Sequence, residues 1–342
     1  TMATLREGYA KGIPVFVNPY YLSLFNVHAP DFAATANRAI RSYILYTQDL
    51  VDEFGHIVAW EKEDCVAVGE PNAAGWLLPS SHAVHRRYPE VAILIPQTRG
   101  RACGGLCSTC QRMYDFQSGN LNFDLDALKP AEQWPARLER YLRYFEEDSQ
   151  LRDVLITGGD ALMNSDKSLT RILAAVLAMA ARKREANRAR SRGKKYAEIV
   201  RVRLGTRLPA YLPQRVTPEL AALLSSFKDR ASRIGLTQFV IQTHFQSPAE
   251  VTPEARIAIC RLQEAGWMVT NQAVFAVDAS TRGHAASLRR VLGEIGVLPY
   301  YTFAVKGFAE NRSGFVPNAR LVQEQREEKA EGRVSHGAGG VL

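Results

Sequence analysis

The sequence has no run of eighteen or more apolar residues, so no single stretch of it reads as a membrane-spanning helix. Its first residues, Thr1-Met-Ala-Thr-Leu-Arg-Glu-Gly8, lack the apolar core of a secretion signal. Cysteine is scarce, at five in 342 residues, and three of the five crowd together at Cys103, Cys107 and Cys110. A disulfide framework would not group them so tightly, so the chain reads as cytoplasmic, in a reducing compartment. Cys65 and Cys260 read as isolated thiols, one on the surface and one on a helix. Acidic residues are outnumbered, 35 Asp and Glu against 43 Lys and Arg, for a formal charge of +8. That excess is local: residues 182–195 hold eight basic residues and one acid, Glu185, leaving +1 for the rest. No aromatic residue interleaves this run to stack bases, so it reads as a solvated basic extension between a helix and a strand.

What the chain does have is the stretch Arg101-Ala-Cys-Gly-Gly-Leu-Cys-Ser-Thr-Cys-Gln-Arg112. Its cysteines fall at the spacing Cys-x3-Cys-x2-Cys, and the two glycines let the backbone wrap tightly around a compact object. A structural zinc site would want four protein ligands. The nearest histidines are His85 before the stretch and His244 after it. Three soft thiolates without a fourth ligand suit an iron–sulfur cluster with one open iron. The alternative is a loop of free thiols.

Residues 1–85 form a separate N-terminal, mainly helical region in which no chemistry stands out; helical spacing of apolar residues predicts a helix over 34–54. From residue 91 the pattern alternates. Strands are predicted at 91–96, 154–157, 199–204, 237–242, 267–274 and 297–303. Helices are predicted at 131–149, 169–181, after the cap Thr217-Pro-Glu219, and at 252–265 and 284–294. Six strands alternating with helices imply right-handed crossovers and a parallel sheet, an α/β fold. Residues 307–342 are a polar C-terminal extension with a helix-like stretch at 321–332 and a Gly-rich end.

Five further motifs accompany the cysteines: Asp153-Val-Leu-Ile-Thr-Gly-Gly-Asp-Ala-Leu162, Pro213-Gln-Arg-Val-Thr-Pro-Glu-Leu220, Gln242-Thr-His-Phe245, Asn271-Gln-Ala-Val274 and Pro299-Tyr-Tyr301. In order and spacing they resemble the lysine 2,3-aminomutase family of the radical S-adenosylmethionine (radical SAM) superfamily, over about residues 83–310. The resemblance implies a partial (β/α)6 TIM-type barrel over 86–306, with chemistry at the C-terminal ends of its strands. It implies a [4Fe-4S] cluster on Cys103, Cys107 and Cys110, whose open iron takes S-adenosyl-L-methionine. Gly158, Gly159, Asp160, His244 and Gln272 match residues around that cofactor. In His85-Arg-Arg-Tyr-Pro89, Arg87 and Tyr88 match residues that touch the phosphate of pyridoxal 5'-phosphate. Arg112 matches the arginine that grips the substrate carboxylate with a guanidinium fork. Each has a plain structural alternative: a strand-to-helix turn at the glycines, a satisfied histidine, a solvated Arg87, an Arg112–Asp115 ion pair.

The chain also departs from the family. A second basic residue after Tyr88 is missing, with Val91 near its place. The family's aldimine lysine sits in a Gly-rich loop beyond strand six, yet here only Lys329 follows Lys306, within Glu-Glu-Lys-Ala-Glu331. Lys306 stands where the lysine enzyme has an aspartate for the distal ammonium. The inverted charge suits an acidic side chain, and the resemblance leans to glutamate 2,3-aminomutase, with Arg112 on one carboxylate of L-glutamate and Lys306 on the other. Lys306 turned outward is the bland alternative. The implied partners are an amino-acid substrate, an electron donor such as flavodoxin or ferredoxin, and further copies of the chain in a homo-oligomer, with no nucleic acid and no membrane. Two competing expectations stand beside this one: a radical SAM enzyme doing other hydrogen-abstraction chemistry without pyridoxal phosphate, and a non-catalytic iron–sulfur protein.

Overall fold

Apolar residues at alternate positions of short segments build one face of a sheet. Val154 and Ile156, Val202 and Leu204, Phe239 and Ile241, and Val269 are buried in one continuous core with the helices that follow them. Their alternates, Asp153, Arg203, Gln242 and Gln272, therefore lie on the opposite face. The structure, a computed structural model, describes residues 2–13, 17–26, 35–45, 47–52, 84–96, 133–157, 159–305 and 309–331.

Among these residues the sheet has seven strands in sequence order: β1 Val84–Tyr88, β2 Val91–Leu94, β3 Asp153–Ile156, β4 Arg201–Gly205, β5 Gln238–Thr243, β6 Met268–Phe275 and β7 Leu298–Ala304. The strands from β2 to β7 are parallel, and the sheet curls into a partial TIM-type barrel. The six parallel strands fall where the alternation predicts them. β1 is an addition: His85-Arg-Arg-Tyr-Pro89 is not only a ligand-like motif but an antiparallel edge strand, turned back at Pro89-Glu90 onto β2.

The helices, in chain order, are α1 Met2–Ala10, α2 Pro19–Leu22, α3 Thr35–Ile44, α4 Gln48–Asp52, α5 Trp134–Glu147, α6 Asp166–Ala189, α7 Leu208–Tyr211, α8 Pro218–Arg233, α9 Pro253–Glu264, α10 His284–Glu294 and α11 Asn318–Glu331. The caps are those the sequence announces. Thr217 Oγ1 accepts from the Leu220 amide at 3.2 Å, and Thr252 Oγ1 from Ala255 at 3.1 Å. Phe227 on α8, Phe239 on β5 and Trp267 form a ring cluster at 5.6–6.1 Å, and the indole donates to the Leu224 carbonyl at 3.1 Å. Each such fully buried large apolar side chain contributes about 1.5–3 kcal/mol. At the tips of β3 and β4 the backbones crowd: a Cβ on Gly205 would stand 2.7 Å from Thr157 Oγ1.

Two expectations need correction. The helix predicted over 34–54 is two helices, because Thr47 Oγ1 accepts from the Leu50 amide at 3.2 Å and starts a new one. The helix predicted over 169–181 runs from Asp166 to Ala189, so half of the basic run is helix rather than a solvated insertion. Lys183 and Asn187, one turn apart, are buried, and only residues 190–200 connect to β4. The C-terminal helix α11 is held to α10 by charge: Glu324 Oε1 accepts from the Ala285 amide at 3.1 Å, and Arg289 pairs with Glu328.

Candidate active site

The inner face of the curled sheet carries a chain of polar groups that crosses four strands. Asp153 Oδ1 on β3 accepts from Arg203 Nε on β4 at 2.9 Å. Arg203 donates from a terminal nitrogen to Gln242 Oε1 on β5 at 3.1 Å, and Gln242 Nε2 donates to Gln272 Oε1 on β6 at 2.9 Å. Arginine has donors only, so it fixes which end of the Gln242 amide faces Gln272. That in turn leaves the Gln272 amino group to donate into the lumen; among the described residues nothing accepts from it. Burial raises the Asp153 pKa, opposed by Arg203 and Arg201. Sequence reasoning missed Asp153, Arg203 and Gln242; the signal was there, charged and amide residues at alternate positions of otherwise apolar strands.

Beyond the strand ends, three loops are tied together. Asp160 carries most of the tie. Its carboxylate accepts from Thr206 Oγ1 and the Arg207 amide, both at 2.6 Å, and from the Leu162 amide at 2.9 Å. It therefore holds the Gly-Gly-Asp loop after β3 against the loop after β4. Gly159 O accepts from Thr157 Oγ1 at 3.1 Å. After β5, His244 Nε2 is hydrogen-bonded to the Gln246 side-chain amide, and His284 Nε2 on α10 meets the Gln246 carbonyl at 2.7 Å. Burial, with the nearby Arg207 cation, pulls the His244 pKa down to about 3. Its imidazole is therefore neutral near pH 7.

That shift predicts an acid-side loss of stability. Between the ordinary 6.5 and about 3, the unfolded chain binds a proton at His244 that the folded chain does not, so stability falls as pH falls through that window. His284, lowered by burial, adds with the same sign. In His244→Gln the drop in melting temperature from pH 7 to pH 4 should be smaller than in the unmodified chain. An identical drop would refute the assignment.

On the far side of the lumen, Tyr301 on β7 bonds to Tyr300, and burial with the neighbouring Tyr300 and Tyr88 hydroxyls helps to push it up to about 12, against the pull of Arg203. Tyr300 and Tyr301 rings lie 4.2 Å apart. Arg87 lies on β1, but its side chain is outside the described residues, as are Gly158, Cys103, Cys107, Cys110, Arg112 and Lys306. β2 and β7 end, at Leu94 and Ala304, on the side of the sheet where Gly159 and His244 follow β3 and β5. Cys260 is exposed on α9, its Sγ 3.3 Å from Glu264.

These groups can do a defined set of things. A neutral imidazole, a lumen-facing amide and backbone carbonyls offer hydrogen bonds without adding positive charge beside a sulfonium, and so fit S-adenosylmethionine. Among the described residues no lysine lies in a Gly-rich loop past β7, the place the family gives its aldimine lysine; Lys329 is exposed on α11.

The chain matches no family model. An uncharacterized KamA family protein of Methanocaldococcus jannaschii is 32% identical over 327 residues, 95% of this chain and 45% of the relative. Glutamate 2,3-aminomutase of Clostridioides difficile is 30% identical over 249 residues, 72% of this chain and 48% of that enzyme. L-lysine 2,3-aminomutase of Clostridium subterminale is 29% identical over 302 residues, 87% of this chain and 59% of that enzyme. The chain spans about half the length of these relatives. Across the span it shares with them, with the motifs in the same order on a curled parallel sheet, the chain belongs to the lysine 2,3-aminomutase family of radical SAM proteins.

Proposed function

We propose that this chain carries the radical SAM part of an amino-acid 2,3-aminomutase, an isomerase that moves the amino group of L-glutamate from C2 to C3. The observation that supports the reading is the tie between motif segments: Asp160 after β3 holds the loop after β4, and Gln272 on β6 is held by Gln242 on β5. A mere cluster carrier needs none of them. Relatives named as lysine and glutamate aminomutases support the reaction class.

A [4Fe-4S] cluster on Cys103, Cys107 and Cys110, reduced by a flavodoxin- or ferredoxin-type donor, would supply with S-adenosylmethionine the radical that abstracts and returns a hydrogen. The chain's own residues bind and orient. Neutral His244 accepts or donates a hydrogen bond without repelling the sulfonium. Gln272, held by Gln242 and Arg203, presents its amino group to an acceptor on the cofactor. Asp160 keeps the Gly-Gly loop closed on the loop after β4. Arg112 would grip the α-carboxylate and Lys306 the distal carboxylate.

The test is anaerobic reconstitution of the cluster, then competition among glutamate, aspartate and lysine, with and without pyridoxal phosphate, in the full-length protein. Glutamate should be preferred, and Lys306→Asp should lower its turnover at least tenfold, since like-charge juxtaposition costs several kcal/mol. Preference for lysine would sink the substrate assignment. Turnover unaffected by omitting pyridoxal phosphate would select instead hydrogen-abstraction chemistry without that cofactor.

A further inference from the structure

The N-terminal region contributes one side chain to the centre of the loop network. The Tyr21 ring on α2 is fully buried, 4.7 Å from the Tyr211 ring. Its hydroxyl donates to Glu250 Oε1 at 2.5 Å and accepts from an Arg207 terminal nitrogen at 2.7 Å. Arg207 also reaches Glu250 Oε1 directly, at 2.9 Å. The other oxygen of Glu250, a residue with no exposed surface, accepts from the Gln246 amide at 2.5 Å and the Ser247 amide at 3.0 Å. Those amides follow His244 by two and three residues. One buried carboxylate thus fixes the turn after β5, and its first oxygen is shared between a cation and the phenol.

The other end of Arg207 belongs to the same machinery, because its backbone amide donates to Asp160. A carboxylate this buried keeps its geometry only while its donors are all present. From this geometry we infer that Tyr21 is a positioning residue for the His244 loop: its hydroxyl completes the Arg207–Glu250 pair that holds the loop in the shape that receives S-adenosylmethionine. The inference rests on the radical SAM reading for its ligand, but not for its effect on the loop.

Tyr21→Phe keeps the ring and removes only the hydroxyl. Tyr20→Phe is the control, since Tyr20 also docks α2, with its hydroxyl 2.6 Å from Thr252 Oγ1, but touches neither Glu250 nor Arg207. Hydrogen exchange read on peptides covering Gln246 and Ser247 should accelerate about tenfold in Tyr21→Phe, the scale of a hydrogen bond to a charged group, and stay within about twofold in Tyr20→Phe. In the anaerobically reconstituted protein, the Kd for S-adenosylmethionine should rise by a similar factor in Tyr21→Phe alone, with iron content unchanged. Unaltered exchange in Tyr21→Phe overturns the inference. So does equal acceleration in both variants, which would make α2 general support, or accelerated exchange with an unmoved Kd. If the unmodified protein binds no S-adenosylmethionine, the radical SAM reading fails and the exchange result alone decides the role of Tyr21.

Discussion

Replacing Cys103, Cys107 or Cys110 with alanine should abolish the iron–sulfur absorbance and all cleavage of S-adenosylmethionine, while Cys65→Ala and Cys260→Ala should keep both. Each thiolate of a three-cysteine site holds one iron. The remaining two thiolates cannot hold four irons against loss on desalting. Cys260 is a sound control because it sits exposed on α9, bonded to Glu264 on its own helix, and that carboxylate raises its pKa. The measurement is iron and sulfide content after anaerobic reconstitution, with 5'-deoxyadenosine formation alongside. A Cys107→Ala protein that retained four irons and cleaved the cofactor at the unmodified rate would remove the central assignment. Loss of the cluster in Cys260→Ala as well would point instead to a general failure to fold.

The parts of this protein that could be read from its sequence are those encoded locally. Thr217 and Thr252 cap their helices through bonds three residues long, and the 3.6-residue period of 284–294 gives α10 its full length. Alternation gave the six parallel strands for the same reason. What local pattern cannot carry is contact between distant segments. The Tyr21–Arg207 bond joins residues 186 apart, and nothing near Tyr21 in the sequence marks it as a partner of Arg207. The β1 strand was hidden because its five residues, Val84-His-Arg-Arg-Tyr88, carry too much charge to alternate visibly. His244 and Gln272 stand out only through the set of motifs together, and the Asp153–Arg203–Gln242 chain that bonds Gln272 exists only once four strands are side by side.

The basic run makes the same point with a measurable consequence. Charge alone reads residues 182–195 as solvated, and Lys194 is indeed exposed. Lys183 is fully buried, and its ammonium donates to the carbonyls of Phe145 and Asp148 at 2.8 Å and of Leu151 at 2.9 Å. The first two lie at the C-terminal end of α5, where helix carbonyls lack partners and a cation is favoured. The third leads into β3. One lysine thus clips α6 to the end of α5 and to the start of the second parallel strand. Lys183→Met keeps the aliphatic volume but leaves three buried carbonyls unmet, and should cost about 3–5 kcal/mol, the scale of breaking a buried ionic contact. At about 2.1 cal/mol/K per residue, a chain of this size loses roughly 1.4 °C per kcal/mol, so the melting temperature should fall by about 4–7 °C. Lys194→Met, in the same run, should move it by no more than about 2 °C. Burial also pulls Lys183 down to about 8 from the ordinary 10.5, so between those values the unfolded chain holds a proton that the folded chain has released. Stability from this group therefore rises with pH across that window, and Lys183→Met should erase the rise. A Lys183→Met protein that melts with Lys194→Met, at an unchanged slope above pH 8, would return the whole run to the solvent.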